Sequence, residues 1–204
     1  MNRVKPALVV LMLLVAALAV GKIFWEQELK YTKPTPVPVG YSIIPVNMVL
    51  ELGIDSFRKS QKPRHLHFYN PHCPCSKFNK SHYTSLVSKY EGKIDFYIII
   101  PSENDLESIK EEFGPSVSVI ADTDDKIANA CGVYSTPQAV LIDKQGKLYY
   151  RGNYNKARYC TDKSTNFAQL AIDSLLQNKT APNFGLLSTT SYGCELDAKN
   201  WFYA

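Results

Sequence analysis

The chain has 204 residues, of which 45% are hydrophobic, and it carries a net charge of +4 with both signs scattered along its length. This length allows one domain of ordinary size plus short appendages, and the hydrophobic fraction is that of a protein with a packed core. The basic residues form no stripe, so nucleic acid is not expected as a partner.

The N-terminus carries a membrane-targeting pattern. Arg3 and Lys5 precede an unbroken apolar run from Ala7 to Val20. One interpretation is a signal peptide cleaved at the small-x-small sequence of residues 17–19. The favoured interpretation is an uncleaved anchor over residues 1–25, because roughly 17–25 residues span a bilayer. Both interpretations export the remaining chain, since the positive residues stay inside.

A proline-rich segment separates the apolar run from the rest of the chain. Residues 26–45 contain four prolines, a density that disfavours helix and stiffens the backbone, so we predict a linker there. An alternative is that residues 41–46 lie against the domain as an edge segment. We then expect a folded domain over residues 46–178 and an irregular C-terminal tail over residues 179–204.

From residue 64 onward the chain alternates strand patterns with helix patterns, which is typical of an α/β layer fold. Runs of β-branched and aromatic residues predict strands at Leu66–Tyr69, Ile94–Ile100, Val117–Ala121, Gln138–Ile142 and Lys147–Arg151. Helical spacing or helix-ending residues predict helices at Ser76–Tyr90, Asp105–Phe113, Lys126–Cys131 and Ser164–Gln177. The last two strands are expected to form a hairpin.

Two cysteines separated by a single proline, Cys73 and Cys75, lie where the first predicted strand turns into the first predicted helix. Free backbone N–H groups and the positive end of the helix dipole favour an anion at such a turn, and a thiolate is an anion. His72, Lys77 and Lys80 add positive charge nearby. Redox chemistry is therefore the favoured interpretation, and a metal site or a disulfide that only staples a loop are the alternatives.

The metal alternative has a definite ligand set. His72, Cys73 and Cys75 together would make a thiolate–imidazole site of the kind that suits Cu(I) or zinc. The corresponding function is a copper-binding module or copper chaperone for an exported enzyme. His65 and His67 share one strand face, but packing in the core or at the surface is favoured over metal binding for both.

The chain has five cysteines, so two disulfides would leave one thiol over. Cys131 lies close to the Thr136-Pro137 pair and is predicted to be a buried, inert thiol rather than a third redox group. Cys160 and Cys194 lie outside the core pattern. In an oxidising compartment we expect them to form a structural disulfide that attaches the tail.

The order of strand, cysteine turn, helix and Thr-Pro before a hairpin resembles the thioredoxin fold. Residues 68–78 stand in the position of that family's active-site turn. Residues 131–137, Cys-Gly-Val-Tyr-Ser-Thr-Pro, and the hairpin after them are similar to the cis-proline region of exported TlpA-like and ResA-like thiol-disulfide oxidoreductases. The likeness covers roughly residues 46–178. It implies a thioredoxin-like α/β fold, a central mixed sheet flanked by helices, behind an N-terminal transmembrane helix.

Two further motifs, Arg-Gly-Asn-Tyr-Asn at residues 151–155 and Tyr-Cys-Thr-Asp at residues 159–162, resemble a bacterial group of membrane-anchored thioredoxin-like proteins. With the N-terminal anchor, we expect a single-pass inner-membrane protein with its soluble domain on the periplasmic side. The resemblance to the TlpA-like and ResA-like family implies a cis peptide bond before Pro137, with Thr136 and Pro137 positioning the partner chain. The partners would be exported proteins with disulfides or thiols, and no organic cofactor is needed.

The sequence departs from the family at the cysteine motif, because Cys73-Pro74-Cys75 replaces Cys-x-x-Cys. With a one-residue deletion, Cys73 attacks and Cys75 resolves. Without a gap, His72 stands in the attacking position and the usual mechanism fails. A disulfide between Cys73 and Cys75 would close a small ring, so we expect it to be labile. The implied function is an exported, membrane-tethered thiol-disulfide oxidoreductase, and a non-catalytic thioredoxin-like scaffold is a further alternative.

Overall fold

The computed structural model describes residues 4–27, 29–54, 57, 61–157 and 159–196. Contacts within the chain divide it into two compact units, Met1–Lys33 and Pro34–Ala204.

The first unit is helical. Helix α1 spans Val4–Gln27, and a short 3-10 helix follows at Leu29–Thr32. Within α1, the segment Pro6–Glu26 has a mean hydropathy of 2.7 and none of it is buried within the protein. By length and composition it can cross a membrane, and it fits a single-pass membrane protein. That the segment is an uncleaved anchor rather than a signal peptide stays a prediction.

The second unit is built on a five-stranded mixed sheet. Its strands are β1 (Arg64–Phe68), β2 (Asp95–Ile100), β3 (Ser118–Ala121), β5 (Gln138–Ile142) and β6 (Leu148–Gly152), in the spatial order β3-β2-β1-β5-β6. Strands β1, β2 and β3 pair in parallel, whereas β5 pairs antiparallel with both β1 and β6. Strands β4 (Ser135–Thr136) and β7 (Cys194–Glu195) form a separate antiparallel pair.

The α-helices of this unit, in the part of the chain that the structure describes, include α2 (Pro74–Tyr90), α3 (Leu106–Phe113), α4 (Lys126–Cys131), α5 (Phe167–Leu176) and α6 (Leu186–Thr189). Side chains from α2 and α5 fill the core on one face of the sheet. Side chains from α4, together with Leu196 of the tail, fill the core on the other face. Every residue of the central strand β1 is buried, as expected for a strand covered on both faces.

This is the thioredoxin-like fold that the resemblance implied. The predicted strands and helices of the core are confirmed to within three residues at each end, because they rest on local hydrophobic periodicity. Of the predicted irregular tail, residues 197–204 lie outside the described residues. The described part, residues 179–196, is irregular except for α6 and β7. These two elements are short, and they form by pairing with distant parts of the chain rather than by their own periodicity.

Part of the segment before the domain also packs on it. The Tyr41 hydroxyl donates to the carbonyl of Gly132 at 3.0 Å, and the Tyr41 ring meets that of Tyr134 at 4.9 Å. The amide of Asn47 donates to the Leu148 carbonyl at 2.8 Å. The proline-rich segment from Pro34 onward therefore groups with the domain, in line with the edge-segment alternative.

Candidate active site

The turn before α2 is shaped by Asn70. Its side-chain oxygen accepts from the amide of His72 at 2.8 Å, and its carbonyl accepts from the amide of Cys73 at 3.0 Å. Cys73 then takes the extended conformation of an N-cap, and Pro74 begins the helix. Proline suits that first position because its missing N–H would have had no partner within the helix. The sequence thus places the Cys73 sulfur at the N-terminus of a 17-residue helix.

Cys73 forms a disulfide with Cys194 of the tail, with the two Cα atoms 6.0 Å apart. This bond corrects the predicted pairing of Cys160 with Cys194. The two partners are 121 residues apart in the sequence. Cys73 is 1% exposed, so the tail covers this end of the helix in the disulfide-bonded state.

The disulfide lies against the Thr136-Pro137 peptide bond, which is cis as the resemblance implied. The Cys73 sulfur is 3.5 Å from the carbonyl oxygen of Thr136. Thr136 is also the residue that pairs with Cys194 across the β4–β7 ladder. The structure therefore brings together three of the four residues predicted for redox chemistry and partner positioning, and adds Cys194 to them.

Cys75, the other predicted redox residue, lies in the first turn of α2 and is 3% exposed. It carries a thiol in this structure, because Cys73 is bonded to Cys194. The disulfide that would be labile if formed, between Cys73 and Cys75, is thus not the one observed here, and a resolving role for Cys75 remains a proposal.

Cys131 and Cys160 also carry thiols. Cys131 is completely buried, and burial, with a smaller contribution from the Asp122 carboxylate, raises the pKa of its thiol well above the ordinary value. The Cys160 thiol donates to the side-chain oxygen of Asn79 at 3.1 Å, and burial raises its pKa to about 12. Neither thiol is activated as a nucleophile, because the reactive form is the thiolate.

The predicted metal ligands are not gathered into a site. The His72 side chain is 77% exposed, and its Nε2 lies 3.4 Å from a carboxylate oxygen of Asp105. The Cys73 sulfur is occupied by its disulfide. Among the residues that the structure describes, no group of three histidine, cysteine or acidic side chains is placed to hold a metal ion. His65 and His67 are buried on β1 and pack against aromatic rings, as predicted.

The tail reaches Cys73 because it is held along β6. The side-chain amide of Asn153 donates to the carbonyls of Leu187 at 2.9 Å and Thr190 at 2.6 Å. The backbone amide of Asn153 donates to the Ser188 carbonyl at 2.8 Å. Gly152 permits this approach, since a Cβ there would lie 2.1 Å from the Ser188 carbonyl oxygen. The Arg-Gly-Asn-Tyr-Asn motif noted in the sequence is therefore, in part, the docking point of the tail.

Substitution Asn153→Ala is expected to lower the free energy of unfolding by about 2 kcal/mol and to loosen the tail. The change removes two side-chain hydrogen bonds and leaves buried carbonyls unpaired. Hydrogen–deuterium exchange of residues 186–196 measures the loosening. Asn155→Ala is the matched control. Asn155 is equally buried, but its amide donates to Asp162 and Asn166 instead. The expectation fails if both variants expose the tail equally.

Sequence reasoning missed Cys194 as the partner of Cys73. The available signal was Gly193-Cys194 within an otherwise polar and aromatic tail, together with a motif at residues 151–155 that had no assigned role. The Cys73–Cys194 pairing depends on the path of the tail over β6 and β4. No local pattern reports that path.

Solved structures share this fold at low identity. A hypothetical protein from Sinorhizobium meliloti 1021 matches with 20% identity and a TM-score of 0.60, over 76% of this chain and 94% of that one. An uncharacterised conserved protein from Geobacillus kaustophilus matches with 22% identity and a TM-score of 0.62, over 75% and 92%. A weaker match, with a TM-score of 0.45 and 19% identity over 61% and 93%, is to a secreted disulfide oxidoreductase of Mycobacterium tuberculosis.

The first two matches support the fold and leave the activity to be argued from the site. No curated protein matches the sequence significantly. A family described as a domain of unknown function, DUF6436, matches residues 49–195, a range that includes all five cysteines, Thr136 and Pro137. The chain belongs to the DUF6436 family.

Proposed function

We propose that this protein is an exported, membrane-tethered thiol-disulfide oxidoreductase in which Cys73 supplies the attacking sulfur. The observation that carries the proposal is the place of that sulfur. It lies at the N-terminus of α2, it is already engaged in a disulfide, and it is 3.5 Å from the carbonyl of Thr136 beside the cis peptide bond.

The place of Cys73 favours exchange chemistry. When Cys73 is reduced, the positive end of the helix dipole at the start of α2 favours its thiolate. The thiolate attacks one sulfur of a partner's disulfide, forms a mixed disulfide and releases the partner's other sulfur as a thiolate. A second thiol of this protein then attacks the Cys73 sulfur and frees the partner. The same steps run in reverse when the partner is a dithiol.

Two thiols are candidates for the second step. Cys75 is the candidate from the Cys73-Pro74-Cys75 motif, and it lies in the first turn of the same helix. Cys194 is the candidate from the structure, since it is bonded to Cys73. Thr136 and Pro137 would position the partner's backbone in either case.

Helix α1 supports the proposed location. Its apolar segment, Pro6–Glu26, is long enough for a single membrane span. Arg3 and Lys5 precede that segment, which favours an inside N-terminus and an exported domain. We place the protein in the inner membrane with the domain in the periplasm. A disulfide persists in such an oxidising compartment. Exported proteins with disulfides or thiols would then be the partners.

Thiol trapping after equilibration in glutathione redox buffers tests the function, with full-length protein in detergent. A reversible two-electron transition is expected in the unsubstituted protein and in Cys160→Ser, and it should be abolished in Cys73→Ser. Comparing Cys75→Ser with Cys194→Ser identifies the second thiol. A transition that survives in Cys73→Ser, or stoichiometric Cu(I) uptake without any transition, would contradict the proposal.

A further inference from the structure

Residues 191–196 of the tail lie against the loop that precedes the cis bond, where they behave as a bound peptide. Thr136 pairs antiparallel with Cys194, and Ser135 pairs with Glu195. The amide of Leu196 donates to the Tyr134 carbonyl at 3.0 Å. At the other end of the segment, the Ser191 hydroxyl accepts from the side-chain amide of Gln138, and the Ser191 carbonyl accepts from the amide of Thr35 at 2.8 Å. Hydrogen bonds thus hold both ends of the segment. The groove formed by Tyr134, Ser135, Thr136 and Gln138 therefore binds backbone as well as sulfur.

The groove selects side chains at two positions around the cysteine. Directly before it, a Cβ on Gly193 would lie 2.1 Å from the Thr136 carbonyl oxygen, so only glycine fits without a shift of backbone. Two residues after it, Leu196 is 7% exposed and belongs to the core cluster beneath the sheet. Between them, Glu195 points to solvent and is not selected.

We propose that residues 191–196 are a tethered stand-in for the partner, and that the groove takes an extended peptide with glycine before its cysteine and an apolar residue two positions after it. This inference rests on the proposed function and names the class of substrate. The partner and the tail occupy the same backbone positions on Ser135 and Thr136. The tail must therefore leave before a partner can bind.

The exchange balances without any further reactant. In the reduced protein the tail leaves the groove, and the Cys73 thiolate attacks the cysteine sulfur of a partner disulfide bound there. The partner's disulfide breaks, a Cys73–partner disulfide forms, and the partner's other sulfur leaves as a thiolate that takes up a proton. The Cys194 thiolate then attacks the Cys73 sulfur, forms the Cys73–Cys194 bond and releases the partner's cysteine as a thiolate. Cys73 and Cys194 lose two electrons and become a disulfide, while the partner gains them and becomes a dithiol.

Two synthetic peptides test the selectivity of the groove, Ser-Tyr-Gly-Cys-Glu-Leu and Ser-Tyr-Ala-Cys-Glu-Leu, each supplied as its disulfide-linked dimer. The protein is the full chain in detergent with Cys75→Ser and Cys194→Ser, so that peptide bound to Cys73 accumulates and is counted by mass spectrometry. The glycine peptide should add roughly tenfold faster, since the alanine peptide loses at least one backbone hydrogen bond. Adding Gly193→Ala to the protein should accelerate addition severalfold, because its own tail no longer competes.

The outcomes separate the two proposals. Equal rates for both peptides, or no acceleration by Gly193→Ala, would overturn the tethered stand-in while leaving Cys73 a redox thiol. Failure of Cys73 to react with either dimer and with oxidised glutathione would overturn the proposed function as well. The same protein with Cys73→Ser must take up no peptide, and circular dichroism of each variant verifies that it is folded.

Discussion

Reduction of the Cys73–Cys194 disulfide is expected to lower the free energy of unfolding by about 4 to 5 kcal/mol. The bond joins residues 121 apart, so breaking it returns a long loop to the unfolded chain. In the chain-entropy treatment, the stabilisation grows with the logarithm of loop length and reaches that value for a loop of about 100 residues. Urea unfolding of the full-length protein in detergent, with and without dithiothreitol and followed by near-ultraviolet circular dichroism, measures the difference.

Two variants make this measurement specific. Cys194→Ser should show the lower stability whether or not reductant is present. Cys160→Ser should keep the full response to reductant, because the Cys160 thiol contacts Asn79 and takes no part in the bond. An unsubstituted protein whose unfolding is insensitive to reductant would show that the tail is not covalently attached in solution.

A stability change of this size links the redox state to the exposure of the groove. Once the bond opens, the tail is held near the site by the two-residue pairing of β4 with β7 and by the contacts of Ser191 and Leu196. Each backbone hydrogen bond contributes roughly 1 kcal/mol. A partner peptide that forms the same hydrogen bonds can therefore displace the tail. The reduced protein is thus the form that receives partners, and the disulfide-bonded protein is the covered form.

The core of the fold could be predicted because it is encoded locally. Residues 95–100 read Asp-Phe-Tyr-Ile-Ile-Ile, which is typical of a buried strand, and they form β2 with its last five side chains buried. Pro74 and the helical spacing after it likewise predict that Cys73 lies at the start of a helix, where the structure has it as the N-cap of α2. Local propensity and tertiary packing agree in these segments.

The disulfide could not be predicted because it depends on geometry between distant segments. The positions of Cys160 and Cys194 outside the core pattern predict that they pair with each other, yet the Cys160 thiol donates to Asn79. Cys194 is carried to Cys73 by hydrogen bonds from Asn153 and by the close approach that Gly193 permits. These contacts join a glycine, a side-chain amide and two carbonyls from separate segments of the chain. None of these groups produces a periodic pattern in the sequence from which the contact could be predicted.

Acid is expected to destabilise this protein strongly through His65 and His67, which lie two residues apart on the same face of the buried strand β1. Burial lowers the pKa of His65 from 6.5 to about 3, and it lowers the pKa of His67 well below its ordinary value. The rings of Tyr83, Phe96 and Tyr154 surround them. Neither ring nitrogen of His65 has a hydrogen-bond partner within the described ranges, so a proton there would carry an unpaired charge into the core.

The direction of the effect follows from the lowered pKa values. The fold favours neutral imidazole, so its stability is complete above pH 6.5 and is lost as the pH falls toward 3. At pH 4.5, two units below the unfolded pKa, His65 alone is expected to lower the free energy of unfolding by about 3 kcal/mol, and His67 adds to the loss.

Urea unfolding at pH 7 and pH 4.5 measures this loss of unfolding free energy. His65→Phe should reduce the acid loss, because it keeps an aromatic ring among its neighbours and removes the titrating group. The exposed His72→Gln should leave the loss unchanged, and an equal acid loss in His65→Phe and the unsubstituted protein would contradict this account.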